Sequence, residues 1–188
     1  MKPFKGAPFF AALFLLALTS CGYYAGDGSL ANQYQTITIP YAKNDLDGFL
    51  TKEITKVFAT DSDLRVENYE ADLILNVELL NIDEENIGFR YDRNKRGELI
   101  HEVIPVETRL IAKAIVSLVD ASNGCLIVQP IVIEATYDFD HDYTSPLNSV
   151  NIFSLGQLTD YDEAYDAAVK PLYHNLAKKI CDYVSDVW

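Results

Sequence analysis

The sequence predicts an α+β fold: a single mixed or antiparallel sheet of four to five strands with two helices packed on one face. Long segments in the middle of the chain alternate apolar and polar residues with a period of two, which is typical of half-buried strands. Segments before and after them repeat apolar residues at three- and four-residue spacing, which is typical of amphipathic helices. Because each helix has one apolar stripe to bury, both helices need a sheet face to pack on.

The first predicted elements are a strand and a helix. Gln35–Pro40 is β-branched and alternating, so we expect a strand there. Asn44 and Asp45 then supply a capping residue and an early acid for a helix start. The apolar stripe of this helix is Leu46, Phe49, Leu50, Ile54, Val57 and Phe58. Leu64–Val66 is predicted as a short second strand.

Three long strands are predicted at Ala71–Phe89, Val106–Val119 and Cys125–Tyr137, and the turn-like segments between them predict an antiparallel meander. Pro130 predicts an edge strand or a bulge. One face of the first long strand is Leu73, Leu75, Val77 and Leu79. The opposite sheet face is also apolar, which predicts that a loop or another protein covers it. Its apolar members are Ile74, Leu80, Ile111, Ile115, Ile127, Ile131 and Ile133.

The C-terminal part of the chain is predicted to be a loop followed by a helix. Asp138–Leu158 is polar and irregular, which predicts a surface loop, and a helical pattern runs from Asp160 to the C-terminus. Pro171 predicts either a kink or the first turn of a new helix. The apolar stripe of this region is Tyr165, Val169, Leu172, Leu176, Ile180 and Val184.

The N-terminal segment has the organisation of a secretion signal. Lys2 and Lys5 precede an apolar stretch, Ala7 to Leu18, that is shorter than the roughly 20 residues of a membrane-spanning helix. The string Leu18-Thr19-Ser20-Cys21 resembles the bacterial lipobox. This resemblance implies that residues 1–20 are a removed signal peptide and that the Cys21 thiol carries a diacylglycerol, with an N-acyl chain on the new N-terminus.

We therefore expect a membrane-anchored protein with residues 21–32 as a flexible tether and residues 33–188 as one domain. Each buried methylene of an acyl chain contributes about 0.8 kcal/mol, so two or three chains hold a protein durably to a bilayer. The absence of Asp after Cys21 favours the outer membrane, facing the periplasm.

The cysteines and the net charge limit the chemistry. The net charge of −13 argues against a nucleic-acid partner, because an acidic protein repels phosphate backbones. Cys125 and Cys181 lie in a chain expected in an oxidising compartment, so two alternatives stay open: a disulfide between them, or two buried free thiols.

Several local strings, taken in order, resemble the LptE family of lipopolysaccharide-assembly lipoproteins. They are Cys21-Gly22-Tyr23, Ile37-Thr38-Ile39-Pro40, Ala71-Asp72-Leu73-Ile74-Leu75 and the aliphatic C-terminal helix that ends at Trp188. The resemblance implies a sheet with two helices on one face. It also implies a place as a plug in the large outer-membrane barrel LptD, where the subunit assists barrel assembly and the passage of lipopolysaccharide.

Basic residues at one hairpin tip are candidates for contact with lipopolysaccharide. Arg90, Arg93, Lys95 and Arg96 lie between two predicted long strands. Guanidinium and ammonium groups bind phosphate, so these residues could contact a lipid head group. The alternative is an ordinary solvated hairpin tip.

The sequence carries no P-loop, dinucleotide-binding or HExxH motif, and we expect neither an enzyme nor a cofactor beyond the covalent lipid. The string Asp138-Phe139-Asp140-His141-Asp142 is the most metal-like, but it lacks the glycine and distal glutamate of a calcium loop, so we expect an acidic surface loop and no metal. The second functional hypothesis is an envelope lipoprotein that serves as adaptor or scaffold for another complex. A lipid-anchored enzyme is the third.

Overall fold

The computed structural model describes residues 33–91, 96–98, 103–141 and 161–186. These residues form one open mixed sheet of five strands and two helices, which confirms the predicted α+β fold class. In chain order the elements are β1 (Thr36–Thr38), α1 (Phe49–Asp61), β2 (Arg65–Val66), β3 (Leu73–Arg90), β4 (Ile104–Asp120), β5 (Leu126–Asp140) and α2 (Tyr161–Asp186).

The sheet combines a short parallel part with a long antiparallel part. Its strand order is β2-β1-β3-β4-β5, and β1 runs parallel to both of its neighbours. Strands β3, β4 and β5 form the predicted antiparallel meander, with β4 in its centre. Because β5 is at one end of the strand order, Pro130 lies in an edge strand as predicted.

The core lies between the two helices and one face of the sheet. Alternation is cleanest in the central strand β4, where every second residue is fully buried: Leu110, Ala112, Ala114, Val116 and Leu118. Helices α1 and α2 meet this face with Leu50, Ile54 and Phe58 from α1 and with Leu172, Leu176 and Ile180 from α2. Each of these side chains is fully buried. The single apolar stripe on each helix therefore has the sheet face that the sequence analysis required.

Helix α1 begins at Phe49, later than the Asn44–Asp45 capping pattern predicts. Asn44 and Gly48 adopt left-handed φ values of 64° and 71°, so the chain between them is not helical. The carboxylate of Asp45 nevertheless caps the helix from this loop, because it accepts the backbone N–H groups of Leu50 at 3.3 Å and Thr51 at 2.8 Å. Leu46 was predicted in the apolar stripe; it precedes the helix and is 93% exposed.

A bulge in β5 overturns part of the predicted face assignment. Ile131 pairs with Val116 while Val128 pairs with Leu118, so β5 contains one extra residue around Pro130. The extra residue reverses which side chains face the helices. Ile133 is consequently buried in the core, and Ile131 packs against the core. Ile127 lies before this bulge, at a second register shift opposite Leu118 and Val119, and it also packs against the core. All three isoleucines were predicted on the opposite face.

The predicted loop after β5 begins later than expected. Strand β5 continues through Asp140, so the acidic string that was predicted as surface loop is strand over Asp138–Asp140. Asp142 lies outside the described residues. Helix α2 is one continuous helix that contains Pro171. Within its predicted apolar stripe, the side chains of Tyr165 and Val169 are only partly buried.

Candidate functional site: the open sheet face and the distal hairpin

One face of the β3–β4–β5 meander lies opposite α1 and α2, and we call it the open face. It is built from the side chains that alternate with the buried ones, and the strand register places them in rows across the sheet. Its members are Asn76, Glu78, Asn81, Asp83 and Glu85 of β3, Arg109, Ile111, Lys113, Ile115 and Ser117 of β4, and Val132, Glu134, Thr136 and Asp138 of β5.

Two ion pairs cross the strands of the open face. Arg109 donates hydrogen bonds to both carboxylate oxygens of Asp138, from Nε at 2.7 Å and from Nη2 at 2.8 Å. Lys113 donates from Nζ to Asp83 at 2.9 Å. The hydrogen bond from Arg109 lowers the pKa of Asp138, and the hydrogen bond from Lys113 lowers the pKa of Asp83. Both carboxylates are therefore held in their charged form.

Further carboxylates surround the two cations of the open face. Glu85 and Glu107 are close enough to Arg109 to raise its pKa, and Glu134 acts on Lys113 in the same way. Carboxylates thus outnumber the cations on this part of the face. A partner that lies against it meets a negatively charged surface in which the positive charges are already paired.

Aliphatic side chains lie between these charged groups. Ile111 and Ile115 are half-buried in the central strand, Val132 is 59% exposed on β5, and Leu80 at the β3 bulge is 44% exposed. The open face is therefore a mixture of apolar and charged patches, and it is less apolar than the sequence analysis predicted.

The far end of β3 and the start of β4 form what we call the distal hairpin, Gly88–Tyr91 with Val103–Val106. Its exposed large apolar side chains are Phe89, Tyr91 and Val103, at 50%, 61% and 46% exposure. Strand β3 has 18 residues, which corresponds to a length of roughly 60 Å. Leu73 at the other end of β3 pairs with β1, where the described chain begins, so the distal hairpin lies at the opposite end of the sheet from the entry of the chain.

The structure describes two of the four basic residues predicted to contact lipopolysaccharide, and both belong to the region of the distal hairpin. Arg90 ends β3, is half-buried and pairs in register with Ile104. Arg96 lies in an exposed turn. Arg93, Lys95 and the predicted lipid-bearing Cys21 lie outside the described residues. Contact with lipopolysaccharide stays a prediction.

The two remaining cysteines are free thiols in the structure, so the disulfide alternative is not the one adopted. Cys125 is exposed just before β5, whereas Cys181 is buried among the core residues of α2. Only Cys181 fits the alternative of two buried thiols. Burial raises the pKa of Cys181 to about 11, so its thiol is protonated and unreactive at neutral pH.

An aromatic cluster that sequence reasoning missed lies on the helix-covered face near the first turn of α2. His141 meets Tyr161 edge to face with ring centroids 4.8 Å apart, and Phe139 and Tyr165 complete the cluster. The Tyr161 hydroxyl donates to the carboxylate of Glu84, and burial together with this bond raises the Tyr161 pKa. The tyrosine spacing of four residues on α2 was the available signal, but the partner strand could not be known from it.

A largely buried polar chain lies beside the aromatic cluster; its Thr108 and His141 members are buried and its Asn86 member is exposed. The imidazole Nε2 of His141 is 2.9 Å from the Thr108 hydroxyl, which donates to Asn86 Oδ1 at 3.1 Å. Thr108 is 1% exposed and His141 is 5% exposed. This hydroxyl–imidazole pair is closed to solvent, and the chain joins the end of β5 to β3 and β4.

A shallow cavity of about 230 Å³ opens between β5 and α2. Its lining is Tyr137, Phe139, Asp140, Ala164, Ala167 and Ala168. This volume is below the roughly 300–1,000 Å³ of ordinary small-molecule sites. Within the part of the chain that the structure describes, three or more His, Cys, Asp or Glu side chains do not converge in a metal-binding arrangement. Neither of the two described helices has the length and apolar character needed to cross a membrane.

Comparisons with known proteins return structural matches only. No family model and no curated protein sequence matches the chain. Among solved structures, the chain is similar to rare lipoprotein B from Shewanella oneidensis, with 13% identity, a TM-score of 0.49, and coverage of 81% of this chain and 96% of the other.

Two further solved structures show a comparable similarity. A minor lipoprotein from Acinetobacter baumannii has 13% identity, a TM-score of 0.48, and coverage of 81% and 91%. Lipoprotein B from Nitrosomonas europaea has 13% identity, a TM-score of 0.41, and coverage of 81% and 86%. These scores lie below 0.5, so the matches do not define the family or the function of this chain.

Proposed function

We propose that this chain is a lipid-anchored lipoprotein of the bacterial envelope, held at the outer membrane and facing the periplasm. In this proposal it is a subunit of the lipopolysaccharide transport and assembly machine and docks inside a large outer-membrane β-barrel of the LptD type. The observation that carries the proposal is that, among the described residues, both helices pack on the same face of the sheet, while the other face is a broad surface of mixed apolar and charged character.

The composition of the open face supports a barrel lumen as its partner. The interior of a transmembrane barrel is polar, so a plug needs charged and hydrogen-bonding groups as well as apolar contacts. On the open face Arg109 and Lys113 are paired within the domain, while Ile111, Ile115 and Val132 supply apolar contact between them. A purely aliphatic face would fit a lipid surface or a second apolar core better than it fits a polar wall.

The two ends of the sheet support separate roles for the proposed lipid anchor and for the distal hairpin. The described chain begins at Gln33, beside the β1 end of the sheet, and the proposed lipid on Cys21 lies twelve positions earlier in the sequence. The distal hairpin lies at the other end of β3. A domain anchored at one end can therefore place this hairpin roughly 60 Å away along the sheet.

The basic residues of that region are the proposed contacts for lipopolysaccharide. Arg90, Arg93, Lys95 and Arg96 would bind phosphate groups by charge-assisted hydrogen bonds. The net charge of −13 repels a polyanion at long range, so this contact has to be local and short-ranged.

Affinity purification from solubilised envelope tests the proposed function. Tagged wild-type chain is expected to recover a large outer-membrane β-barrel. Recovery of other envelope proteins without a barrel would contradict the proposal and favour the adaptor alternative. Depletion of the chain distinguishes the two independently, because only the proposed function predicts mislocalised lipopolysaccharide and impaired barrel assembly.

A matched pair of variants tests whether the open face is the docking surface. Ile115→Arg introduces a charge on the open face, and Leu46→Arg introduces the same charge at a position that is 93% exposed outside that face. We expect Ile115→Arg to reduce barrel recovery at least tenfold while Leu46→Arg leaves it unchanged. Equal recovery with both variants, in folded protein, would remove the open face from the interface.

The lipid anchor is tested by Cys21→Ala. The variant is expected to remain an uncleaved precursor without an acyl group. Intact-mass spectrometry of the wild-type protein is the direct measurement, and a wild-type mass that retains Met1 and carries no lipid would contradict the anchor.

A further inference from the structure

The exposed edge of the sheet carries a feature that the proposed function does not use. Among the described strands, β5 lies at one end of the strand order, so one side of its backbone has no neighbouring strand. The backbone N–H of His141 donates to Val106 of β4, which shows that odd-numbered residues at this end of β5 direct their backbone groups toward β4. Even-numbered residues such as Glu134 and Thr136 therefore direct theirs outward.

Two side chains of α2 donate hydrogen bonds to these outward carbonyl groups. Lys179 donates from Nζ to the carbonyl oxygen of Glu134 at 2.9 Å, and Asn175 donates from Nδ2 to the carbonyl oxygen of Thr136 at 3.1 Å. Four residues on a helix rise about 6 Å, and two residues on an antiparallel strand span about 6.8 Å. The helix spacing therefore matches the spacing of the outward carbonyls, and α2 runs antiparallel to β5 in this contact.

The sequence of β5 favours unwanted pairing with other strands if the edge is left unprotected. Leu126–Ile133 reads LIVQPIVI, which contains no charged residue and is rich in β-branched side chains. Uncharged, β-branched segments without proline pair readily with other strands when an edge is free. Pro130 and its bulge interrupt the first half of the edge, and Asn175 and Lys179 occupy the second half.

We infer that Asn175 and Lys179 are edge caps that keep β5 from pairing with β5 of a second copy of this chain. A second copy is the fitting partner because two antiparallel copies of one strand pair around a twofold axis. An axis near Glu134 would set the outward carbonyl groups of Glu134 and Thr136 against outward N–H groups from the same half of β5 in the other copy. Each cap offers an alternative hydrogen bond to a carbonyl that the second copy would otherwise bind.

The inference is tested by removing both donors from the full chain purified in detergent. Asn175→Ala with Lys179→Ala keeps helix-favouring residues in α2 and eliminates both hydrogen bonds. Sedimentation equilibrium at a density that matches the detergent reports the protein mass. We expect the dimer to form at roughly tenfold lower protein concentration, or less, than in the wild type, since two hydrogen bonds no longer compete with pairing.

Two control variants separate the caps from general effects on α2. Lys178→Ala removes the same charge at the neighbouring exposed position, and Lys179→Arg keeps a donor at the capping position. Both should retain the wild-type mass. If Lys178→Ala associates as strongly as the double variant, the loss of charge explains the effect and the inference is wrong.

Two further measurements identify the edge itself. On dimer formation the outward amides of Glu134 and Thr136 should become protected from hydrogen exchange. Thr136→Pro, added to the double variant, removes an outward N–H and should restore the wild-type mass. A double variant that keeps the wild-type mass over the whole concentration range overturns the inference.

If circular dichroism shows that the double variant loses helix, Lys179→Met replaces it, because methionine keeps an apolar stem without a donor. A folded Lys179→Met protein with unchanged association would likewise overturn the inference.

Discussion

The two faces of the β3–β4–β5 meander use the same strands for different purposes. On the helix-covered face, every second residue of β4 from Leu110 to Leu118 is fully buried in the core that the sheet shares with α1 and α2. On the open face, the intervening residues Arg109 and Lys113 form ion pairs across the strands, with isoleucines between them. Adjacent residues in one strand therefore contribute to stability on one side and to surface chemistry on the other.

The comparison shows that burial, and not residue type, decides how much an aliphatic side chain contributes to the free energy of unfolding. Leu110 and Ile111 are neighbours of similar size in the centre of the sheet, yet Leu110 is completely buried and Ile111 is half-exposed. Free energy of unfolding depends on the apolar area removed from water, so the same truncation should have different costs at the two positions.

Leu110→Ala against Ile111→Ala is the strongest test of this difference between the faces. We expect Leu110→Ala to reduce the free energy of unfolding by about 2–5 kcal/mol, because it leaves a cavity in the core. Ile111→Ala should cost about 1 kcal/mol or less. Urea denaturation of both variants measures the values. Equal costs would mean that the open face is covered as completely as the other one.

Thr108→Val tests the buried polar chain on the helix-covered face. The change keeps the side-chain shape but removes the hydroxyl that contacts His141 and Asn86. We expect a loss of about 1–3 kcal/mol in unfolding free energy, because the buried His141 imidazole loses its hydrogen bond to the hydroxyl. The control is Thr136→Val on the open face, where the side chain is exposed and the effect should stay within about 0.5 kcal/mol. Similar losses in both variants would contradict a special role for the buried chain.

The pH dependence of Asp138 is the smallest expected effect and concerns the open face. The hydrogen bond from Arg109 lowers the pKa of Asp138 in the folded protein below the ordinary value of about 3.9. Stabilisation by this pair is therefore fully present above the unfolded-state pKa and is lost as the pH falls through the lower folded-state value.

An NMR titration of the carboxyl carbons measures this shift directly. Arg109→Gln should return the Asp138 pKa toward its ordinary value, whereas Lys113→Gln should change Asp83 and leave Asp138 unaffected. An unchanged Asp138 pKa in Arg109→Gln would show that the ion pair is absent in solution.

Sequence patterns predicted the elements better than their side-chain partners. The period-two alternation of β4 and the single stripe of each helix are local signals, and both are found in the structure. The bulge at Pro130 could be suspected but not placed, so Ile133 was assigned to the wrong face. One extra residue in a strand reverses every later side chain, and period-two reasoning cannot detect it without the neighbouring strand.

The candidate site was predictable only in its outline. A second sheet face opposite the helices followed from strand periodicity, but it is less apolar than predicted. The basic hairpin tip stays a prediction, of which the structure describes only Arg90 and Arg96. The pairing of Arg109 with Asp138, and of Lys113 with Asp83, joins residues 29 and 30 positions apart and depends on strand register. The cluster of His141, Tyr161 and Glu84 likewise requires a strand end and a helix start to meet.

The sequence by itself determined an α+β arrangement, with amphipathic helices before and after an antiparallel meander, because hydrophobic periodicity is a property of neighbouring residues. Only the tertiary structure decided which face the helices cover in β5, which carboxylates bind Arg109 and Lys113, and which side chains of α2 close the sheet edge. These features depend on register and on packing between distant segments, and both arise only when strands and helices come together in three dimensions.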